Sequence, residues 1–200
     1  MNPPEEVARR KRRVLWIALL TSFLPPFMVA AVNVALPEVG RAFGEGSAAL
    51  GDVATLYLFA LAVCLAPAGK ALDLYGRARG LALGCGVFGL GCLAGALAPS
   101  FPLLLLSRVV QGVGGALMVV GGVALLTETF SPGERGQVLG WCAASVYLGI
   151  SLGPTLGGLL VGLGGWRVLF WSPLVPGGLS LILLASLRSG ERSGGLGGLD

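Results

Sequence analysis

Apolar residues come in six long runs, separated by short polar or turn-forming pieces. The runs extend approximately from Val14 to Leu36, Val53 to Ala68, Gly80 to Leu97, Leu103 to Leu126, Val138 to Leu160 and Val168 to Leu187. A helix needs about 20 apolar residues to cross a hydrocarbon core of about 30 Å, so each run predicts a membrane-spanning helix. The pieces between them are Pro37 to Ser47, Gly69 to Arg79, Ala98 to Pro102, Thr127 to Gln137 and Val161 to Arg167, which makes each span the hairpin partner of the next. Pro25 and Pro26 fall inside the first run and predict a kinked helix, tolerable where neighbouring helices re-satisfy the backbone. A basic start followed by Val14 to Leu24 also fits a cleaved signal peptide, but the apolar character continues to Leu36 and favours a retained span.

Charge orients these helices. With the N-terminus inside, the inner segments hold Arg9, Arg10, Lys11, Arg12, Arg13, Lys70, Arg77, Arg79, Arg135, Arg188 and Arg192, and the outer ones only Arg41 and Arg167. Cytoplasmic loops carry the excess of Lys and Arg, so both termini are expected in the cytoplasm. The expected organisation is a basic N-terminus over 1–13, a six-helix bundle over 14–187 and a cytoplasmic tail over 188–200. The Arg9–Arg13 cluster reads as a topology anchor ahead of an anionic-lipid patch, and the net charge of +4 needs no nucleic-acid partner.

Composition agrees and excludes. Hydrophobic residues make up 54% of the 200 and charged residues 12%, with a mean hydropathy of +0.83; soluble domains carry about 25% charged residues. There is no histidine, which removes Ser-His hydrolysis and His-metal sites. Cys64, Cys85, Cys92 and Cys142 lie within spans without C-x-x-C spacing and read as small buried hydrophobes. No cofactor, no metal and no enzymatic activity are expected.

Polar groups within spans are costly, so those present are candidate functional residues. Arg108 lies roughly 8 Å along a helix from Leu103, with Gln111 one turn further on the same face; the alternative for Arg108 is snorkelling to the interface. Asn33 lies at similar depth on the first span. Asp52, at the start of the second, is the acid expected to pair with Arg108. Gly149, Gly153 and Gly157 recur every four residues, with Pro154 inside the series and Gly158 beside it, predicting a smooth helical face for close packing. The piece Gly69–Arg79 places Asp73, Gly76 and Arg77 where a charge-linked latch between helices two and three is expected, a solvated turn being the alternative.

In this order the motifs resemble the N-terminal half of a major facilitator superfamily transporter, in the drug:proton antiporter branch with fourteen spans. Gly69, Asp73, Gly76 and Arg77 are similar to the G-x-x-x-D-x-x-G-R signature after helix two, and Arg108, Gln111, Gly112 and Gly114 to the R-x-x-Q-G-x-G motif of helix four. Gly149 to Gly158 resembles the antiporter motif of helix five, Asn33-Val-Ala-Leu-Pro37 the end of helix one, and Gly165-Trp-Arg167 the entry to helix six. The sequence departs at Met28 and Ala30, where the branch commonly has an acid and a threonine, and at Ala78, Val120 and Ser172.

The resemblance implies an all-α six-helix bundle with a 3+3 inverted repeat, in a multi-pass protein of the inner or plasma membrane. It implies alternating access, with protons moving inward and a lipophilic small molecule outward. Arg108 and Asp52 would then couple to protons, while Asn33, Gln111 and Met28 line the substrate cavity. Gly69, Asp73, Gly76 and Arg77 would latch the cytoplasmic side, and the Gly149–Gly158 stripe would slide on a partner bundle. Rocking needs a second six-helix bundle, so the chain is expected to act as a half-transporter, with a second copy or a separate half. The alternative is a truncated, non-transporting fragment or scaffold.

Overall fold

The computed structural model describes residues 3–194, with side chains described for 5–187, and almost all of this length is helical. In chain order the helices are α1 (Pro3–Phe43), α2 (Ser47–Tyr75), α3 (Arg77–Ala96), α4 (Phe101–Thr129), α5 (Pro132–Gly164), α6 (Trp166–Trp171) and α7 (Leu174–Gly194). Six helical segments are long and apolar enough to cross a membrane, the last being α6 and α7 taken together.

The helices outrun the apolar runs that predict them. At about 1.5 Å per residue, α1 reaches roughly 60 Å, about twice a hydrocarbon core. The basic segment and the first span are therefore one helix, carried through Pro25, Pro26 and Pro37. The expected loop Gly69–Arg79 is instead two helix ends meeting at Gly76, whose φ of 91° suits a residue without Cβ. Gly165, with φ 82°, divides α5 from α6 in the same way. The sixth span is broken at Ser172 and Pro173, where the proline ring removes a backbone donor. The expected tail over 188–200 begins inside α7, and its last residues, 195–200, lie outside the described ones.

Lipid tails are as apolar as leucine, so helices associate in a membrane through close packing rather than through exclusion of water. α4 is the clearest case, packing closely on α2 and α3 and also on α1. A Cβ built on Gly112 would lie 2.5 Å from the Tyr57 carbonyl of α2, and one on Gly114 only 2.3 Å from the Phe88 amide nitrogen of α3. One on Gly122 would lie 2.9 Å from the Thr21 hydroxyl of α1. α1 in turn packs most extensively on α5. There a Cβ built on Gly149, Gly153 or Gly157 would lie 2.5–2.9 Å from Phe23, Ala30 and Ala31.

That contact corrects one expectation: the α5 glycine stripe is already occupied by α1 of the same bundle, so it is not a surface on which a partner bundle slides. Pro154, on the other side of α5, stays exposed. α2 and α5 are the least covered of the six spans, exposing among others Phe59 and Val63 on α2 and Tyr147 and Leu148 on α5.

Ion pairs tie the polar helix ends on one side of the bundle. Lys11 Nζ donates to both carboxylate oxygens of Glu134 at 2.8 Å and sits 5.5 Å from the Phe130 ring centroid, joining α1 to the start of α5. Glu134 also accepts from the Ser131 hydroxyl at 2.7 Å and its amide at 3.0 Å. The Lys11 contact, followed by the two Ser131 bonds, lowers the Glu134 carboxyl to about 2. On the same side Arg77 reaches Glu128 at 3.6 Å and donates to the Ala124 carbonyl at 3.2 Å, joining α3 to the end of α4.

Gly114→Ala is expected to cost about 1–3 kcal/mol by overpacking against backbone, whereas Gly140→Ala, with open space around it, is neutral or stabilises by up to about 1 kcal/mol; thermal unfolding of the detergent-solubilised protein reads both. Because the Glu134 carboxyl is depressed, its brace is fully present above the ordinary carboxylate range and is lost as pH falls towards 2. A carbon-13 titration is expected to place the Glu134 midpoint near 2 and to raise it part of the way towards the usual range in Lys11→Gln, the two Ser131 bonds remaining.

Candidate functional site

Arg108 occupies the middle of the α2–α3–α4 packing and is fully buried, the largest side chain so enclosed. Snorkelling to an interface is therefore not what it does. The α4 glycines explain how so large a group fits, since Gly112 draws α2 within reach of the guanidinium. Arg108 Nε donates to the Val53 carbonyl at 3.0 Å, and Nη1 donates to the Gln111 side-chain oxygen. The guanidinium carbon lies 4.4 Å from the Tyr57 ring centroid, within the range of a cation–π contact. Nη2 is buried with no hydrogen-bond partner. Among the described residues no carboxylate pairs with Arg108.

This arrangement departs from the expected Arg108–Asp52 pair. Successive residues on a helix point about 100° apart. Val53 is buried and its carbonyl takes the Arg108 bond, while the neighbouring Asp52 is exposed. The structure therefore does not bring Asp52 and Arg108 together.

Of the three residues expected to line a cavity, the structure separates one from the other two. Asn33 is exposed on α1. Met28 is fully buried among core residues of the bundle. Gln111 is fully buried too, because its amide is used on both sides: the oxygen accepts from Arg108 and Nε2 donates to Cys92 Sγ of α3 at 3.1 Å. Gln111 is thus part of the setting of Arg108 and not a cavity wall in this conformation.

The expected latch residues are likewise divided. Gly69 has open space at its Cβ position and Gly76 forms the turn between α2 and α3. Arg77 turns to α4, where Glu128 and the Ala124 carbonyl receive it. Asp73 is exposed near the end of α2 and makes no ion pair among the described residues. In α5, Gly149, Gly153 and Gly157 are buried against α1, Gly158 is half-buried near Val34, and Pro154 is exposed.

Three contributors escape reading by charge alone. Tyr57 is a polar-tipped aromatic inside an apolar run. The Val53 acceptor is a backbone group with no sequence signature. Glu128 belongs to the next inner piece of the chain and not to the Gly69–Arg79 motif. At the opposite end from Lys11 and Glu134, a cleft of about 410 Å³ is lined by Glu38, Arg41 and Arg167 beside the Gly164–Trp166 turn. There Arg167 donates to the Ala98 carbonyl at 3.0 Å and stacks on Trp166.

Comparison with known proteins follows the same line. Residues 15–197 match the Major Facilitator Superfamily. The chain is 38% identical over 176 residues to multidrug resistance protein Stp of Mycobacterium tuberculosis, covering 86% of this chain and 33% of that protein. It is 35% identical over 175 residues to the multidrug resistance protein B homolog of the same species, covering 88% and 32%. It is 36% identical over 158 residues to the puromycin resistance protein pur8 of Streptomyces alboniger, covering 78% and 31%. The chain thus spans well under half the length of the curated relatives it matches. Among solved structures, a D-xylose–proton symporter superposes with a TM-score of 0.76 at 17% identity, over 92% of this chain and 53% of that one. The proton:xylose symporter XylE bound to 6-bromo-6-deoxy-D-glucose gives 0.79 at 17% identity, over 90% and 45%. These likenesses concern the fold. With a family match over nearly its whole length, six spans and a fold shared with one half of those symporters, this multi-pass membrane chain belongs to the major facilitator superfamily.

Proposed function

We propose that the chain is the Arg108-bearing six-helix bundle of a proton-coupled efflux transporter, exporting lipophilic small molecules by alternating access together with a second six-helix bundle. The observation that carries this reading is the burial of Arg108 without a carboxylate partner among the described residues. A buried cation is costly to a membrane protein and is kept where its field is used. Held by a carbonyl, an amide oxygen and a ring face, its charge is offset but not cancelled, so a proton or a cationic substrate arriving nearby changes the energy of the site. The multidrug resistance names of the relatives support lipophilic compounds as the substrate class.

The second bundle, supplied by another copy or by a separate half, is supported by the large apolar side chains that α2 and α5 leave uncovered. In this arrangement the exposed Asp73, with Gly69, Gly76 and Arg77 beside it, forms the cytoplasmic latch towards the partner, and Asn33 contributes to the cavity wall. Both termini lie in the cytoplasm, anchored by Arg9–Arg13, and the bundle sits in the cell membrane among lipids.

Purified protein in liposomes with an acid interior is expected to accumulate a fluorescent lipophilic cation, and a protonophore is expected to abolish the uptake. Arg108→Leu is expected to lower the rate by roughly 100-fold, about 2.7 kcal/mol of lost coupling. Its thermal midpoint is read alongside, since Leu removes the desolvation cost of the cation but leaves the buried Gln111 oxygen without its donor. Absence of gradient-dependent uptake by the wild type, both alone and with a co-expressed second bundle, overturns the transport reading. Equal uptake by Arg108→Leu overturns the role of Arg108.

A further inference from the structure

We propose that Tyr57 is the positioning residue of this site, fixing the buried Arg108 guanidinium and tying it to α1 at the proline pair Pro25 and Pro26. The proposal deepens the reading of Arg108 given above and rests on it for its functional part.

Tyr57 is fully buried on α2 and makes two contacts in different directions. Its ring face carries the Arg108 guanidinium at 4.4 Å, and its hydroxyl donates to the Pro25 carbonyl of α1 at 3.3 Å. The slot that holds it is made by absence of side chains on α4. A Cβ on Gly112 would lie 2.5 Å from the Tyr57 carbonyl, and one on Gly115 would lie 3.0 Å from its hydroxyl. The other two partners of Arg108, Val53 and Gln111, sit on α2 and α4, so among these groups Tyr57 alone bonds to α1.

The far end of this link is where α1 is least stiff. Pro25 and Pro26 bring no amide hydrogens, which leaves two carbonyls one turn earlier without their helical partners and permits bending. A displacement of the guanidinium pulls on the ring, and the ring is pinned to the helix at that point. Tyr57 thereby converts a change at the buried charge into a change in the angle of α1, the helix on which α5 rides.

The chain has three tyrosines, and Tyr75 and Tyr147 are 71% and 70% exposed, so fluorine NMR of 3-fluorotyrosine-labelled full chain isolates the buried one. Tyr57→Phe identifies its resonance by removal. The Tyr57 resonance is expected to shift in Arg108→Leu and, should that variant fail to fold, in Arg108→Lys, with the other two unmoved. A Tyr57 resonance that stays in place in the folded Arg108 variant overturns the proposal, whatever transport does. In the liposome assay Tyr57→Leu, which removes both contacts, is expected to cut the maximal rate roughly tenfold with KM for the dye unchanged. Tyr57→Phe, which keeps the ring and gives up Pro25, is expected to fall between Leu and wild type. Wild-type rates in both variants overturn the positioning role. A wild type that moves no dye, alone or with a co-expressed second bundle, overturns the transport reading, and the fluorine signal then judges the contact by itself.

Discussion

A cation buried in a membrane bundle has to be held by whatever the surrounding helices offer, and the placement of Arg108 depends on how closely α2 and α4 approach. Its guanidinium finds a backbone carbonyl, an amide oxygen and an aromatic face, with no carboxylate partner among the described residues. Each is weaker than a carboxylate. The combination offsets part of the desolvation cost and leaves Nη2 unsatisfied. Such a setting keeps the charge in place while leaving it responsive to new arrivals, which a tight buried ion pair would not.

The glycines make that setting possible. Gly112 and Gly115 open α4 towards Tyr57 and α2, Gly114 opens it towards α3, and Gly122 towards α1. α4 therefore reads as a hub whose faces are each shaped for a different neighbour. The same device joins α1 to α5 through Gly149, Gly153 and Gly157. The bundle then presents two poorly covered helices, α2 and α5, one on either side of the α1–α4 pair.

The six spans were legible because lipid demands about 20 apolar residues at a time, and nothing else in the chain competes with that requirement. Helix ends were less legible, since polarity marks where the lipid stops and not where the helix does. Lys70 and Asp73 are compatible with continued helix, and only Gly76, with its positive φ, breaks it. Arg108 and Gln111 were legible as polar groups in a span, yet their partners were not, because Val53 contributes a backbone oxygen and Cys92 and Tyr57 come from other helices. The Asp52 expectation failed by one residue, the distance that turns a side chain about 100° around its helix. The α5 glycine stripe was read correctly as a close-packing face, but a single helix does not say which neighbour it meets.

The central claim is that Arg108 is a buried cation held by Val53, Gln111 and Tyr57 and not by Asp52. Nitrogen-15 NMR of the arginine Nε–H groups tests it most directly, since Arg12, exposed near the start of α1, supplies an internal reference. The Arg108 Nε–H is expected to resist exchange with water under conditions where Arg12 exchanges freely, and to keep its position in Asp52→Asn. An Arg108 signal that exchanges as fast as that of Arg12, or that moves when Asp52 is neutralised, would contradict it.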